Sequence, residues 1–160
     1  MMVTKNRQDT NDVFLETYDK FKSLPVEDFA FVMGAKEYDK YADQCDGFTF
    51  VKRMPIHIKS SYIYNQLLKK YNLESKYETI GSGDKVRYFY VMQPNKYGIN
   101  SLAYKYYLPE EFRSEFKPDI ELMFEKIVFS VIERFYDAVR WKLRKPGMQL
   151  QTDLFDLLSV

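Results

Sequence analysis

The sequence predicts an α+β protein in which long helices accompany a small sheet. Apolar residues recur at helical spacing from Val13 to Leu24 and again from Ile120 to Ala138. A short apolar run, Phe29 to Met33, ends at Gly34, and Val86 to Met92 (VRYFYVM) is dense in aromatic and β-branched residues. With 160 residues, 46% hydrophobic and 29% charged, the chain has the size and balance of one globular domain with a real core.

Residues 1–11 carry no periodicity and are expected to be disordered, with Asp12 capping the first helix and Pro25 stopping it. Phe29 to Met33 reads as a strand, and Lys36 to Gly47, polar and acidic, as a loop or short helix. Pro55 opens the next helix, because a first-turn residue loses nothing by lacking an N–H. Ile63, Tyr64, Leu67, Leu68 and Tyr71 mark one face of that helix, which ends near Asn72. Gly81-Ser82-Gly83-Asp84 is a turn and Val86 to Met92 a strand. Gln93 to Asn100, with Pro94 and Gly98, is a loop, and Leu108-Pro109-Glu110-Glu111 starts a helix. The longest helix runs from Asp119 to about Trp141 with Ile120, Met123, Phe124, Ile127, Val131, Phe135 and Ala138 on its apolar stripe, and Pro146-Gly147 breaks it. Residues 148–160 form a tail.

The net charge of +1 conceals a pattern. Residues 1–50 hold 6 basic and 10 acidic side chains, whereas residues 51–96 hold 9 basic and 3 acidic. Residues 97–137 hold 5 basic and 8 acidic side chains, and residues 138–145 hold Arg140, Lys142, Arg144 and Lys145 with no acid. Such concentration suggests contact with a polyanion; a solvated charged face is the alternative. The 14 tyrosines and 13 phenylalanines suggest surfaces where a ring packs and a hydroxyl reaches polar groups.

Several classes are not expected. There is no apolar run long enough to span a membrane, and the start MMVTKNRQDTND lacks the apolar core of a signal peptide. The one cysteine, Cys45, cannot form an internal disulfide and fits a reducing cytoplasm; one Cys and one His do not build a common zinc site. His57 has no nucleophile partner in a recognisable motif. Gly81-Ser82-Gly83 lacks the Lys-Ser/Thr of a phosphate loop, and no Asp-x-Asp pair offers two-metal chemistry. Asp39, Asp43 and Asp46 read as surface acids.

The order of motifs from Arg53 onward resembles a known family. P-I-H-I-K, Y-N, L-L-K-K, S-G-D-K-V, an aromatic strand, Q-P-N, L-P-E-E-F and a long helix with F-E-K are similar to the C-terminal thumb of family B DNA polymerases, especially those of T4-like tailed bacteriophages. The likeness covers about Asp12 to Leu158. It implies a thumb-like domain over residues 1–147, with long helices and a small antiparallel sheet, then a flexible clamp-binding tail over residues 148–160. A thumb holds the primer–template duplex through its backbone, as any sequence-independent enzyme must. By this resemblance Arg53, His57, Lys59 and Lys126 contact the duplex, and Lys85 is a further candidate beside the plain reading of a turn lysine. Asn100 and Ser130 stand where related phage enzymes carry lysine; Lys96, Lys105 or Arg134 are candidates to compensate.

The tail carries its own signal. Gln151, Leu154, Leu157 and Leu158 fit the spacing Q-x-x-L-x-x-φ-φ of peptides that bind trimeric sliding clamps, and Gln151, Asp153, Leu154 and Phe155 resemble the shorter bacterial form. The alternative is a terminal amphipathic turn packed on its own domain. Counterparts of the palm aspartates, fingers lysines and exonuclease carboxylates are missing, so the chain alone is expected to be inactive and Mg2+ to belong to a larger partner chain. The initial Met1-Met2 suggests the small subunit of a split phage polymerase, acting in the cytoplasm of the infected bacterium; an excised fragment and a mis-called gene are the alternatives. A stand-alone DNA- or clamp-binding accessory protein without a catalytic role is the competing function, and a plain interaction domain a third.

Overall fold

The computed structural model describes the backbone of residues 7–140 and side chains from residue 11 onward. The elements in order are α1 (Arg7–Lys22), α2 (Val26–Phe29), β1 (Phe31–Gly34), α3 (Tyr38–Ala42), α4 (Ile56–Lys70), β2 (Lys85–Tyr90), β3 (Ser101–Tyr104), α5 (Glu110–Arg113), α6 (Ile120–Phe124), a π turn (Glu125–Phe129) and α7 (Ser130–Ala138). The fold is α+β, as the sequence predicts, with one antiparallel sheet in the order β1-β2-β3. The chain divides into two compact units: Pro25–Asp119, and the flanking segments, described over residues 7–24 and 120–140.

Helix α4 is the hub of the Pro25–Asp119 unit. Pro55 precedes it with φ −58°, already set for helix entry. Ile58, Tyr62, Ile63, Tyr64, Leu67 and Leu68 are all buried, so the helix is covered on most of its circumference. Ser60 and Ser61 are buried too, because each hydroxyl donates one turn back, to the carbonyls of Ile56 (2.6 Å) and His57 (2.7 Å). Ser60 Oγ also meets Ser101 Oγ of β3 at 2.7 Å. The helix closes with the N–H of Leu73 bonded to the Leu68 carbonyl and that of Asn72 to Lys69, Asn72 taking the left-handed conformation (φ 55°) that ends helices in this way.

Helix α4 lies against β3 and β2. Strand β3 leaves no mark in the sequence pattern: all four of its residues are buried, so the polar–apolar alternation of a half-exposed strand is missing. The turn before β2 forms as predicted, with the Asp84 carboxylate accepting from the Gly81 N–H at 2.8 Å and Gly83 at φ 88°, where a side chain would be strained. Asn65 joins α4 to its surroundings. Its Nδ2 donates to Tyr38 Oη and the Ile80 carbonyl, and its Oδ1 accepts from the Ile80 N–H, each at 2.8 Å.

Three predicted boundaries differ. Helix α1 begins at Arg7, so residues 7–11 are helical and Asp12 lies inside the helix instead of capping it. Asn11 is buried and accepts a bond from Tyr136 Oη at 3.3 Å, a contact 125 residues away that periodicity cannot reveal. Phe29 ends α2, and the strand starts only at Phe31.

The third difference concerns the long helix. Phe14, Tyr18 and Phe21 of α1 surround the ring of Phe124, with centroids 5.2, 5.0 and 5.3 Å away. Beyond Phe124 the predicted stripe fails: Val131 and Phe135 are 65% and 63% exposed, whereas Phe129 and Tyr136 are buried. The π turn explains this. It inserts one residue into the helical repeat, so the inward positions move from Val131 and Phe135 to Phe129, Ile132 and Tyr136.

Candidate nucleic-acid interface

Arg53 sits on the segment entering α4, exposed and at φ 63°. That conformation costs a side-chain-bearing residue about 1–2 kcal/mol. His57, in the first turn of α4, is half-buried with its ring centroid 6.5 Å from that of Tyr88. Burial holds its pKa below the ordinary imidazole value, so at neutral pH it offers hydrogen bonds and not a charge. The Lys59 ammonium lies 4.6 Å from the centroid of the Phe50 ring. Lys85 is exposed at the start of β2, opposite Gly34 of β1.

Residues two apart on a helix differ by about 160° in direction. His57 and Lys59 therefore leave the start of α4 on opposite sides, with buried Ile58 between them. Lys85 and Tyr88, three apart on β2, face opposite sides of the sheet. Arg53, His57 and Lys59 thus surround the beginning of one helix, which has no side-chain cap and no acid in its first turn. Lys126 is exposed on the π turn, in the other unit. Gln151, Leu154, Phe155, Leu157 and Leu158 lie outside the described residues.

The basic stretch is left largely uncompensated by ion pairing. Two of its acids, Glu78 and Asp84, are both taken by Lys105, whose Nζ is 2.7 Å from Glu78 Oε1 and 3.0 Å from Asp84 Oδ2. Lys76 pairs with Glu111, and Lys96 lies 3.8 Å from Glu115. Lys52, Arg53, Lys59, Lys69, Lys70, Lys85 and Arg87 make no ion pair among the described residues. Lys105 is therefore a poor candidate to replace a missing phosphate-binding lysine, since its side chain is only 11% exposed and held by two carboxylates. Arg134 remains exposed on α7. Lys52 and Arg87 join the candidates only through the structure, because nothing in a sequence distinguishes a paired cation from an unpaired one.

Among the described residues no three His, Cys, Asp or Glu side chains stand close enough to hold a metal ion, and no helix is long and apolar enough to cross a membrane. No protein-family model matches the sequence, and no curated protein matches it.

Proposed function

We propose that this chain is the thumb part of a family B DNA polymerase, holding the primer–template duplex by its phosphates. The observation that carries this reading is that Lys52, Arg53, Lys59, Lys85 and Arg87 make no ion pair among the described residues, in a segment two of whose three acids, Glu78 and Asp84, are engaged by Lys105. A surface that must hold any sequence needs uncompensated positive charge more than it needs base-reading groups. The ordered motifs from Arg53 to the F-E-K lysine, Lys126, support the choice of family. In this reading the duplex is contacted by Arg53, Lys59, Lys85 and Lys126, with His57 as a neutral hydrogen-bonding partner. The tail, through Gln151, Leu154, Phe155, Leu157 and Leu158, docks on a sliding clamp. A larger chain with exonuclease, palm and fingers supplies the catalytic carboxylates and their Mg2+, and the assembly works in the cytoplasm of an infected bacterium.

The test is duplex binding by the purified chain, followed by fluorescence anisotropy across a salt series. Lys59→Ala with Lys126→Ala is expected to weaken binding about equally on unrelated sequences and to lower the salt slope by about 1 for each phosphate no longer held. A sequence-selective loss, or binding indifferent to salt, would refute backbone gripping. Primer extension by this chain alone would refute the division of labour.

A further inference from the structure

The segment after β3 carries two adjacent tyrosines, Tyr106 and Tyr107, which are 64% and 57% exposed. Every other tyrosine of the protein is buried or half-buried. The two rings border a cavity of about 230 Å³, lined also by Tyr64, Tyr77, Lys76, Glu78 and Lys105. Tyr77 and Tyr107 meet edge to face with centroids 6.0 Å apart, which fixes one wall.

The charges here are already matched. Lys105 is held by Glu78 and Asp84, and Lys76 by Glu111. The same lysines lie over aromatic rings, Lys76 at 5.0 Å from the Tyr77 centroid and Lys105 at 5.6 Å from that of Tyr106. An incoming cation would find those ring faces occupied, and an incoming anion would have to displace a carboxylate. A neutral flat ring needs no charge displaced and can use a ring face that no ammonium covers. It can stack on the exposed tyrosines, and its N–H groups can donate to the Glu78 carboxylate, which is bonded to Lys105 only through Oε1.

We propose that this cavity receives a single unpaired nucleobase of single-stranded nucleic acid, stacked on Tyr106 and Tyr107. The choice of a nucleobase among flat rings rests on the duplex-holding reading; the cavity and its chemistry do not. Stacking tolerates any base, because every base has a π face.

The probe is a labelled single strand of about a dozen nucleotides, within the usual site size of such surfaces, with a blunt duplex as control. Tyr106→Ala with Tyr107→Ala is expected to weaken single-strand binding by the full chain at least about fivefold while leaving duplex binding unchanged. Tyr106→Phe with Tyr107→Phe keeps the rings and is expected to bind like the unaltered protein. An unchanged affinity of the alanine variant, an equal loss on strand and duplex, or no single-strand binding at all overturns the proposal. If the duplex never binds yet single-strand binding depends on these two rings, the duplex-holding reading fails and this site stands.

Discussion

Tyr104, on β3, has a fully buried hydroxyl with no hydrogen-bond partner. The Glu27 carboxylate adds to the effect of burial on the pKa of Tyr104, and the nearby Arg87 guanidinium opposes it. Burial dominates, and pushes the phenol from 10.0 to about 12. Tyr104→Phe deletes that oxygen and leaves the ring beside Phe89, whose centroid is 6.4 Å away. An unsatisfied buried hydroxyl costs about 1–3 kcal/mol, part of which Arg87 recovers, so the variant is expected to be more stable by about 1 kcal/mol. Urea unfolding reads this as a midpoint raised by about 0.3–1 M at unchanged slope. The pH dependence gives a second readout. A folded pKa above the unfolded one favours the neutral phenol, so its contribution is intact below pH 10 and is lost as pH rises from 10 towards 12. Two pKa units correspond to about 2.7 kcal/mol, so the variant's advantage is expected to widen over that interval. Destabilisation by more than about 1 kcal/mol at neutral pH would refute the reasoning, because it would mean the hydroxyl has a real partner. A gap that stays constant up to pH 12 would refute the assigned pKa.

Other positions separate folding from function. Asn65→Ala removes three hydrogen bonds and strands the buried backbone of Ile80; a loss of about 2–4 kcal/mol in urea unfolding is expected, and a loss below about 1 would show that water replaces them. Arg53→Gly relieves the left-handed backbone and removes a cation; stability is expected to hold or rise by up to about 1 kcal/mol while duplex affinity falls, and unchanged affinity would remove Arg53 from the interface. On the proposed polymerase reading, Leu154→Ala with Phe155→Ala is expected to abolish clamp stimulation while distributive synthesis continues, and unchanged processivity would refute the tail assignment.

Much of the framework is legible in the sequence because local chemistry agrees with it. Pro55 before α4, the Gly81–Asp84 turn, the aromatic strand, and Pro109 before α5 each act on their immediate neighbours. Helix α1 begins earlier than periodicity allows, since Asn11 is held by Tyr136 from the far end of the chain. Strand β3 is invisible because a strand covered on both faces carries no alternation. For the candidate site, the surplus of cations in residues 51–96 can be counted, but their pairing cannot. Nothing in the order of residues says that Lys105 draws off Glu78 and Asp84, or that Lys52 and Arg87 remain unpaired.

By itself the sequence determined the α+β class, the start of the central helix at Pro55 and the placing of positive charge in the middle of the chain. These depend on backbone preferences and composition, which act over a few residues. Only the tertiary structure decided which face of the long helix turns inward, which cations keep their charge uncompensated, and that Tyr106 and Tyr107 stand open over a cavity. One extra residue in a π turn rotates everything after it, and an ion pair joins side chains 27 residues apart, Lys105 and Glu78. Both effects are set by how distant segments pack, a quantity that no local window of residues contains.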